Sequence, residues 1–567
     1  MAAAAAAAED RLSGLPDDIL HSILRDIPLK HAARTSALSR PWARQWLRAL
    51  ACSPVIDFTD RDFARGQPPA RAAATVSRCL RLHAEYGAPL HAFRVTLGGG
   101  DAGAFARDVV GWVAAAVARG AREVEVDLMA TLRHGSSDAD HGGNSALLEL
   151  PGDLFVAENS VERLALGRFS LRAVAPGAAG LAGLRSLSLS HADVTDEAVE
   201  AMVSSCGALE FLSLRGCQHL TSVRIAGERL RVLEIVGCLS VRNLQVAAPA
   251  LESFVFHGDT VCAKDPDEDF DGGRVHFGAT PALRDAYLSH LGFSEYDDDR
   301  HDFVYTSLLE CIAHADILTL CSVGLLHMDI SRGFDIGVVA PNVEELQLLM
   351  PSLGDDDVEQ VVASFEYITF SILDRLFIRL LVGEPADAIA AAALPAAGED
   401  EPDIVPNVDI DLDHLTLIKV VNAKMFSYLP GYGFLSRLTG RANLIATLQI
   451  TEGDEVTFTN LKGIIAVVSR GVRTPGGTKS VSVVNVRGTR CELRLLRFLL
   501  NRAPALEQLV LVTVEEEGAL GAEEMKAIRT RVSAMRTASS EARVTVCRPG
   551  EDGSRNPVHT KLYHEKY

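Results

Sequence analysis

Asp267, Asp269 and Asp271, followed by Gly272, have the spacing that opens a calcium-binding EF-hand loop, in which alternate oxygen ligands wrap one cation. Such a loop closes with a bidentate glutamate at its twelfth position, where this chain has Gly278, so a solvated acidic loop is the better reading. Gly471–Ser480 (GVRTPGGTKS) has the glycines of a phosphate loop, but Gly477 and Thr478 separate Gly476 from Lys479. The following Val481–Val486 reads as a strand rather than a helix whose N-terminus could hold a phosphate, which favours a hairpin turn. His564-Glu565 lacks the second histidine of a zinc-protease helix, and no Gly-x-Ser-x-Gly elbow occurs. The ten cysteines run from Cys52 to Cys547 without a Cys-x-x-Cys pair, the pattern of reduced, buried small hydrophobes. The expectation is therefore a non-catalytic protein with no cofactor and no metal.

Net charge narrows the partners. The 55 Lys+Arg against 75 Asp+Glu give −20, which argues against nucleic acid or an anionic membrane as ligand. No stretch of about 18 apolar residues is free of charge, so no membrane span is expected. The run Ala2–Ala8 leads into Glu9 and Asp10 without a basic segment, a poor signal peptide, so residues 1–9 are read as a disordered lead-in. Cytoplasm or nucleus is the expected compartment. At 567 residues the chain exceeds the ~250–300 at which single cores stop growing, so it must be several domains or a stacked repeat array.

The elements that could position a binding site begin in residues 10–58. Asp17 and Asp18 suit a helix first turn, with Pro16 as its first residue, and Ile19, Leu20, Ile23, Leu24 and Ile27 form one apolar stripe that Pro28 ends. A second helix is expected over Lys30 to Leu38 and a third near Pro41, with Trp42, Trp46 and Leu50 on one face. Three helices this short have too little core to cover those stripes, so a partner or the rest of the chain must.

This segment resembles an F-box, most of all those of plant F-box/leucine-rich-repeat proteins. The matching residues are LPDDIL (15–20), IL (23–24), IPLK (27–30), AARTSALSR (32–40) and the Trp42/Trp46 pair, with Pro41 in place of a usual basic residue. The resemblance implies docking onto the Skp-type adaptor of a cullin-RING ubiquitin ligase through Leu15, Pro16, Ile19, Leu20, Ile23 and Leu24. An amphipathic cap on the chain's own repeats is the alternative.

Those repeats are visible directly. Leu184/Leu187/Leu189, Leu209/Leu212/Leu214/Cys217, Leu230/Leu233/Ile235/Cys238 and Leu251/Phe254/Phe256 recur at 25, 21 and 21 residues, the L-x-x-L-x-L frame of a leucine-rich repeat. Looser copies precede them at Leu90/Phe93/Val95 (read as the first strand), Ala121/Val124/Val126 and Val161/Leu164/Leu166. Others follow at Leu283/Leu288, Val343/Leu346/Leu348, Leu373/Leu376/Ile378, Leu412/Leu415/Leu417 and Leu506/Leu509/Leu511. Ala198, Val199 and Met202 mark a helix on the other side. The fold class expected is α/β: a three-helix F-box over 10–58, then a curved solenoid with a parallel sheet over 85–515. Residues 135–144, 259–302 and 384–411 read as inserts, the second carrying twelve acidic against four basic residues. Residues 479–511 read strand, helix, strand and resemble the FBD region of plant F-box proteins, taken here to span 479–545.

Side chains alternate faces along a strand, so Arg163, Phe211, Ser213, Arg215, Val232, Glu234, Val236, Ser253, Val255, His257 and Tyr287 are expected on the concave face. Phe211, Arg215 and Tyr287 are the expected target-recognition residues. The whole reads as a substrate-receptor subunit of a Skp-cullin-F-box type ligase. A leucine-rich-repeat scaffold or small-ligand receptor outside any ligase is the alternative.

Overall fold

The computed structural model describes residues 15–97, 105–128, 147–172, 179–258, 275–290, 308–321, 338–350, 368–380, 478–513 and 521–551, less short internal gaps, and a strand pair at Ile418–Lys419 and Glu455–Val456. The candidate sites at Asp267–Gly272 and His564-Glu565, the glycine-rich turn at 471–477, the inserts at 135–144 and 384–411 and the repeat Leu412/Leu415/Leu417 lie outside them. The chain forms two compact units, Met1–Leu251 with Gly278–Thr280, and Glu252–Phe277 with Pro281–Tyr567.

The first unit opens with three short helices: α1 (Asp17–Arg25), α2 (Leu29–Arg34) and α3 (Gln45–Ala51). Pro16 caps α1 rather than entering it, its carbonyl accepting from the Ile19 and Leu20 N–H groups. Helix α2 stops short of Leu38 because the Thr35 and Ser36 hydroxyls donate to the carbonyls of Ala32 and Ala33, tightening the chain into a 3-10 turn over Thr35–Ala37.

The sheet then begins sooner than expected. Strand β1 (Val55–Phe58) pairs in parallel with β2 (Ala92–Thr96), so Val55–Phe58 belongs to the repeats and not to the helical module. Its alternating Ile56 and Phe58 bury inward as any repeat strand does. Helix α4 (Pro69–Tyr86) connects β1 to β2, and α5 (Ala106–Ala118) connects β2 to β3 (Glu123–Asp127). Arg163–Gly167, Ser186–Ser190, Phe211–Arg215 and Val232–Val236 continue the parallel order.

Register lines up one buried row, Ile56, Phe93, Val124, Leu164, Leu187, Leu212 and Leu233, and a second through Leu189, Leu214 and Ile235. Each strand offers two or three inward side chains, too few to exclude water alone, so neighbours complete the core. Where the repeat is 25 residues long, the return side holds a helix, Asp196–Ser205, capped by the Thr195 hydroxyl accepting from the Ala198 N–H. At 21 residues no helix fits, and short strands Ser222–Ala226 and Asn243–Ala247 pair instead, burying Val223, Ile225, Leu244 and Val246. Directly after four successive strands stand Arg168, His191, Gly216 and Gly237, all at positive φ. The Cys217 and Cys238 thiols follow two of these turns and are buried, pointing at the carbonyls of Leu189 and Leu214.

The second unit repeats the arrangement over Ser253–Gly258, Asp285–His290, Ile317–Cys321, Glu345–Met350, Arg375–Leu380, Ser480–Val486, Gln508–Thr513 and Arg543–Cys547, all parallel. Three expectations change. The insert does not fill 259–302, because the repeat expected at Leu283/Leu288 forms strand Asp285–His290 within those bounds, with Ala286, Tyr287 and Leu288 buried. Ile317–Cys321 is a further strand, with Ala315 where other repeats have leucine. The sheet runs on to Cys547 rather than ending near 515, since residues 480–547 supply its last three strands. Helix Arg490–Arg502 starts with a capping box of Thr489 and Glu492 and buries Leu495, Leu496, Leu499 and Leu500.

A Leu212→Ala change should cost about 2–5 kcal/mol, read as a lower denaturation midpoint, with hydrogen exchange rising first in the strands at 186–190 and 232–236. Gly216→Ala should also destabilise, because φ is 60° and a Cβ would lie 2.6 Å from the His191 ring. Unchanged unfolding midpoints in both variants would contradict the stacked register.

Candidate functional site

The helical module has a small core of its own. Leu20 and Leu24 on α1 are 1% and 3% exposed and pack with Ala32, Trp42 and Ala49, while Leu15, Ile27 and Trp46 close the edges. A polar pin holds α1 to α3. Gln45, nearly buried, donates from Nε2 to Asp17 Oδ1 at 2.8 Å and accepts at Oε1 from His21 Nε2 at 3.0 Å. Since the amide oxygen only accepts, His21 must carry its proton on Nε2. Arg48 lies 3.7 Å from Asp17 in an exposed pair of small energetic weight.

Six residues are expected to face a partner, and the structure divides them. Leu20 and Leu24 are interior, because Trp42 and Ala49 provide the apolar surface expected from a partner. Leu15 is half-buried at the rim and Pro16 is exposed. Ile19 and Ile23, one helical turn apart, stay 48% and 39% exposed. The outward apolar surface of α1 is thus this isoleucine pair.

The outer face of the sheet in the first unit is polar and partly self-paired. Arg94 donates from Nε to Glu123 at 2.9 Å and from Nη1 to Asp57 at 3.2 Å. Glu125 sits next to them, its pKa raised by burial against the opposing pull of Arg94. Phe211 and Val232 are half-buried neighbours in register. Arg215 is tied down, its guanidinium donating to Glu234 and, at 3.0 Å, to the Ser213 hydroxyl, which itself donates to Glu234 at 2.8 Å. That network covers Ser213, and Val236 is buried as well.

Tyr287, expected on the recognition face, is 0% exposed in the second unit, and its register partners Val255 and Thr319 are buried with it. That stretch of the row is interior, His257 included, so none of these side chains can meet a target directly. Phe211 and Arg215 remain accessible in part.

Cavities add little. One void of about 10 Å³ lies among Phe155, Leu164, Leu187 and Met202, too small for any ligand. An open groove of about 510 Å³ runs along α5, with Arg107 and Glu149 as its charged lining. Among the described residues no group of three or more His, Cys, Asp or Glu could hold a metal ion, and no helix is long and apolar enough to cross a membrane.

Comparison with known proteins places both parts. Residues 12–49 match the F-box domain model, and residues 92–265 match the model described as At1g61320/AtMIF1, LRR domain. The chain carries an F-box followed by a leucine-rich-repeat domain. Relatives in Arabidopsis thaliana include F-box protein At5g03100, 27% identical over 235 residues, covering 40% of this chain and 64% of the relative. Putative F-box/LRR-repeat protein At5g41840 is 25% identical over 317 residues, 53% of each chain. FBD-associated F-box protein At5g60610 is 26% identical over 262 residues, 44% of this chain and 59% of the relative. The aligned part thus spans between about half and two-thirds of these relatives. The F-box match ends at residue 49, inside α3, consistent with β1 belonging to the repeats.

Leu20→Ala should unfold the F-box, costing about 2–5 kcal/mol, whereas Ile19→Ala should stay within about 0.5 kcal/mol. Urea titration followed by tryptophan fluorescence separates the two. Equal effects would contradict the inward and outward assignment.

Proposed function

We propose that this protein is the substrate-receptor subunit of a Skp-cullin-F-box type ubiquitin ligase, active in the nucleus or cytoplasm. The F-box would hold the Skp-type adaptor, and through it the cullin, while the repeats hold a target protein. The observation that carries the reading is the Ile19/Ile23 pair, left exposed on α1 while Leu20 and Leu24 of the same helix are buried in the F-box core. Full burial of such side chains contributes about 1.5–3 kcal/mol each, enough to anchor an interface. Catalysis would belong to the recruited conjugating enzyme, and this chain would act by proximity, raising the local concentration of target lysines. Phe211 and Arg215 would form part of the target face, Arg215 releasing or sharing Glu234 on binding. Residues 479–545, the FBD-like region, would close the sheet without chemistry of their own.

An Ile19→Asp, Ile23→Asp double variant should keep its circular dichroism and lose adaptor capture by at least about tenfold, because two carboxylates would be buried unpaired in the contact. Adaptor binding at the level of the unaltered protein would overturn the reading. A Phe211→Ala, Arg215→Ala variant should retain the adaptor and lose targets in affinity purification.

A further inference from the structure

Three residues, Cys52 to Pro54, separate the end of α3 from the start of β1, and each is tied down. The Cys52 N–H donates to the Arg48 carbonyl at 2.9 Å, and the Ser53 N–H to that of Leu50 at 3.1 Å. The Pro54 carbonyl accepts from His91 and Ala92 at 2.7 and 3.1 Å. The Ser53 hydroxyl donates to the Val55 carbonyl at 2.7 Å. The Ser53 carbonyl takes a 2.7 Å hydrogen bond from Nε2 of His83, which lies in the last turn of α4 and is 0% exposed.

His83 is itself held in place. Arg119, the residue after α5, reaches across with Nη2 to the carbonyls of His83 at 3.3 Å and Ala88 at 2.7 Å. The Trp112 indole donates to Ser77 at 2.8 Å, fixing α5 on α4. A carbonyl only accepts, so the imidazole must place its proton on Nε2, leaving Nδ1 buried without a hydrogen-bond partner. Burial first, and the Arg119 charge in addition, hold the His83 pKa below its ordinary value against the pull of the Ser53 carbonyl, which keeps the ring neutral. A leucine would fill the same space without leaving Nδ1 unsatisfied, so packing alone does not account for a histidine here. The hydrogen bond to Ser53 does.

We propose that His83 and Arg119 are positioning residues, which clamp the F-box at one orientation on the first strands of the repeats so that the Ile19/Ile23 face and the sheet's outer face move as one body. The use of such a clamp rests on the ligase reading, since transfer by proximity depends on a fixed span between docking face and target. Its existence does not, and its test needs neither adaptor nor target.

Spin labels on unnatural amino acids at Asp18 and Arg163, both exposed, would report the distance distribution across the joint in the full chain. The unaltered protein should give one narrow distribution, broadened by His83→Leu and by Arg119→Met. His83→Gln, whose amide can donate to the Ser53 carbonyl, should restore the narrow one. Hydrogen exchange at His91 and Ala92 should rise about tenfold in His83→Leu, while the amides of Leu24 and Leu212 are unchanged, which separates a loosened joint from general instability. If His83→Leu fails to fold, Arg119→Met must still broaden the distribution. A folded Arg119→Met or His83→Leu protein with unchanged width, failure of His83→Gln to restore it, or an unaltered protein already as broad, would overturn the clamp.

Discussion

Strands of five or six residues, each with two or three inward side chains, cannot exclude water alone, and that insufficiency organises most of the chain. The remedy is identical register between neighbours, so that Leu187, Leu212 and Leu233 form one row and Leu189, Leu214 and Ile235 another. Register in turn fixes the exits. Each strand must leave the sheet at the same point, and the left-handed backbone at Arg168, His191, Gly216 and Gly237 marks it. The return path has what length remains, a helix at 25 residues and a short strand at 21. The outer face is left over from this arrangement, which is why its side chains vary from paired charges at Arg94 to a half-buried Phe211.

The F-box meets the same insufficiency on a smaller scale and answers it differently. Two tryptophans and two leucines supply a core, and the Asp17–Gln45–His21 pin aligns the helices that the core alone holds loosely. On α1 this leaves Ile19 and Ile23 outside, and after α2 it leaves Leu38 outside. How this face is placed against the repeats depends on the joint after α3, where His83 holds the Ser53 carbonyl just ahead of β1.

Much of this is legible in the amino-acid sequence. The four regular repeats, the helix at Asp196–Ser205 and the helix at Arg490–Arg502 with Leu495 and Leu499 follow from spacing alone, because apolar periodicity records which faces are buried. The inner and outer split of the α1 stripe does not. Ile19 and Leu20 are equally apolar, and only the position of Trp42 decides between them. Val55–Phe58 is hidden by its nearness to the helices, and Ile317–Cys321 by the alanine that opens its repeat, although Ala121 opens another in the same way. The left-handed exits are obscured because Arg168 and His191 stand where glycine would have announced the turn. Tyr287 alternates as an outer residue should, and alternation states a face without stating whether that face is covered. His83 carries no motif at all, since its partner is a backbone carbonyl 30 residues away.

The central claim is that α1 docks a Skp-type adaptor while the sheet stays free for a target. Hydrogen exchange of the full chain with and without purified adaptor tests it most directly. Protection should appear over residues 17–25 and be absent over 186–236. An adaptor that leaves 17–25 unprotected, or that protects the sheet instead, would contradict the account.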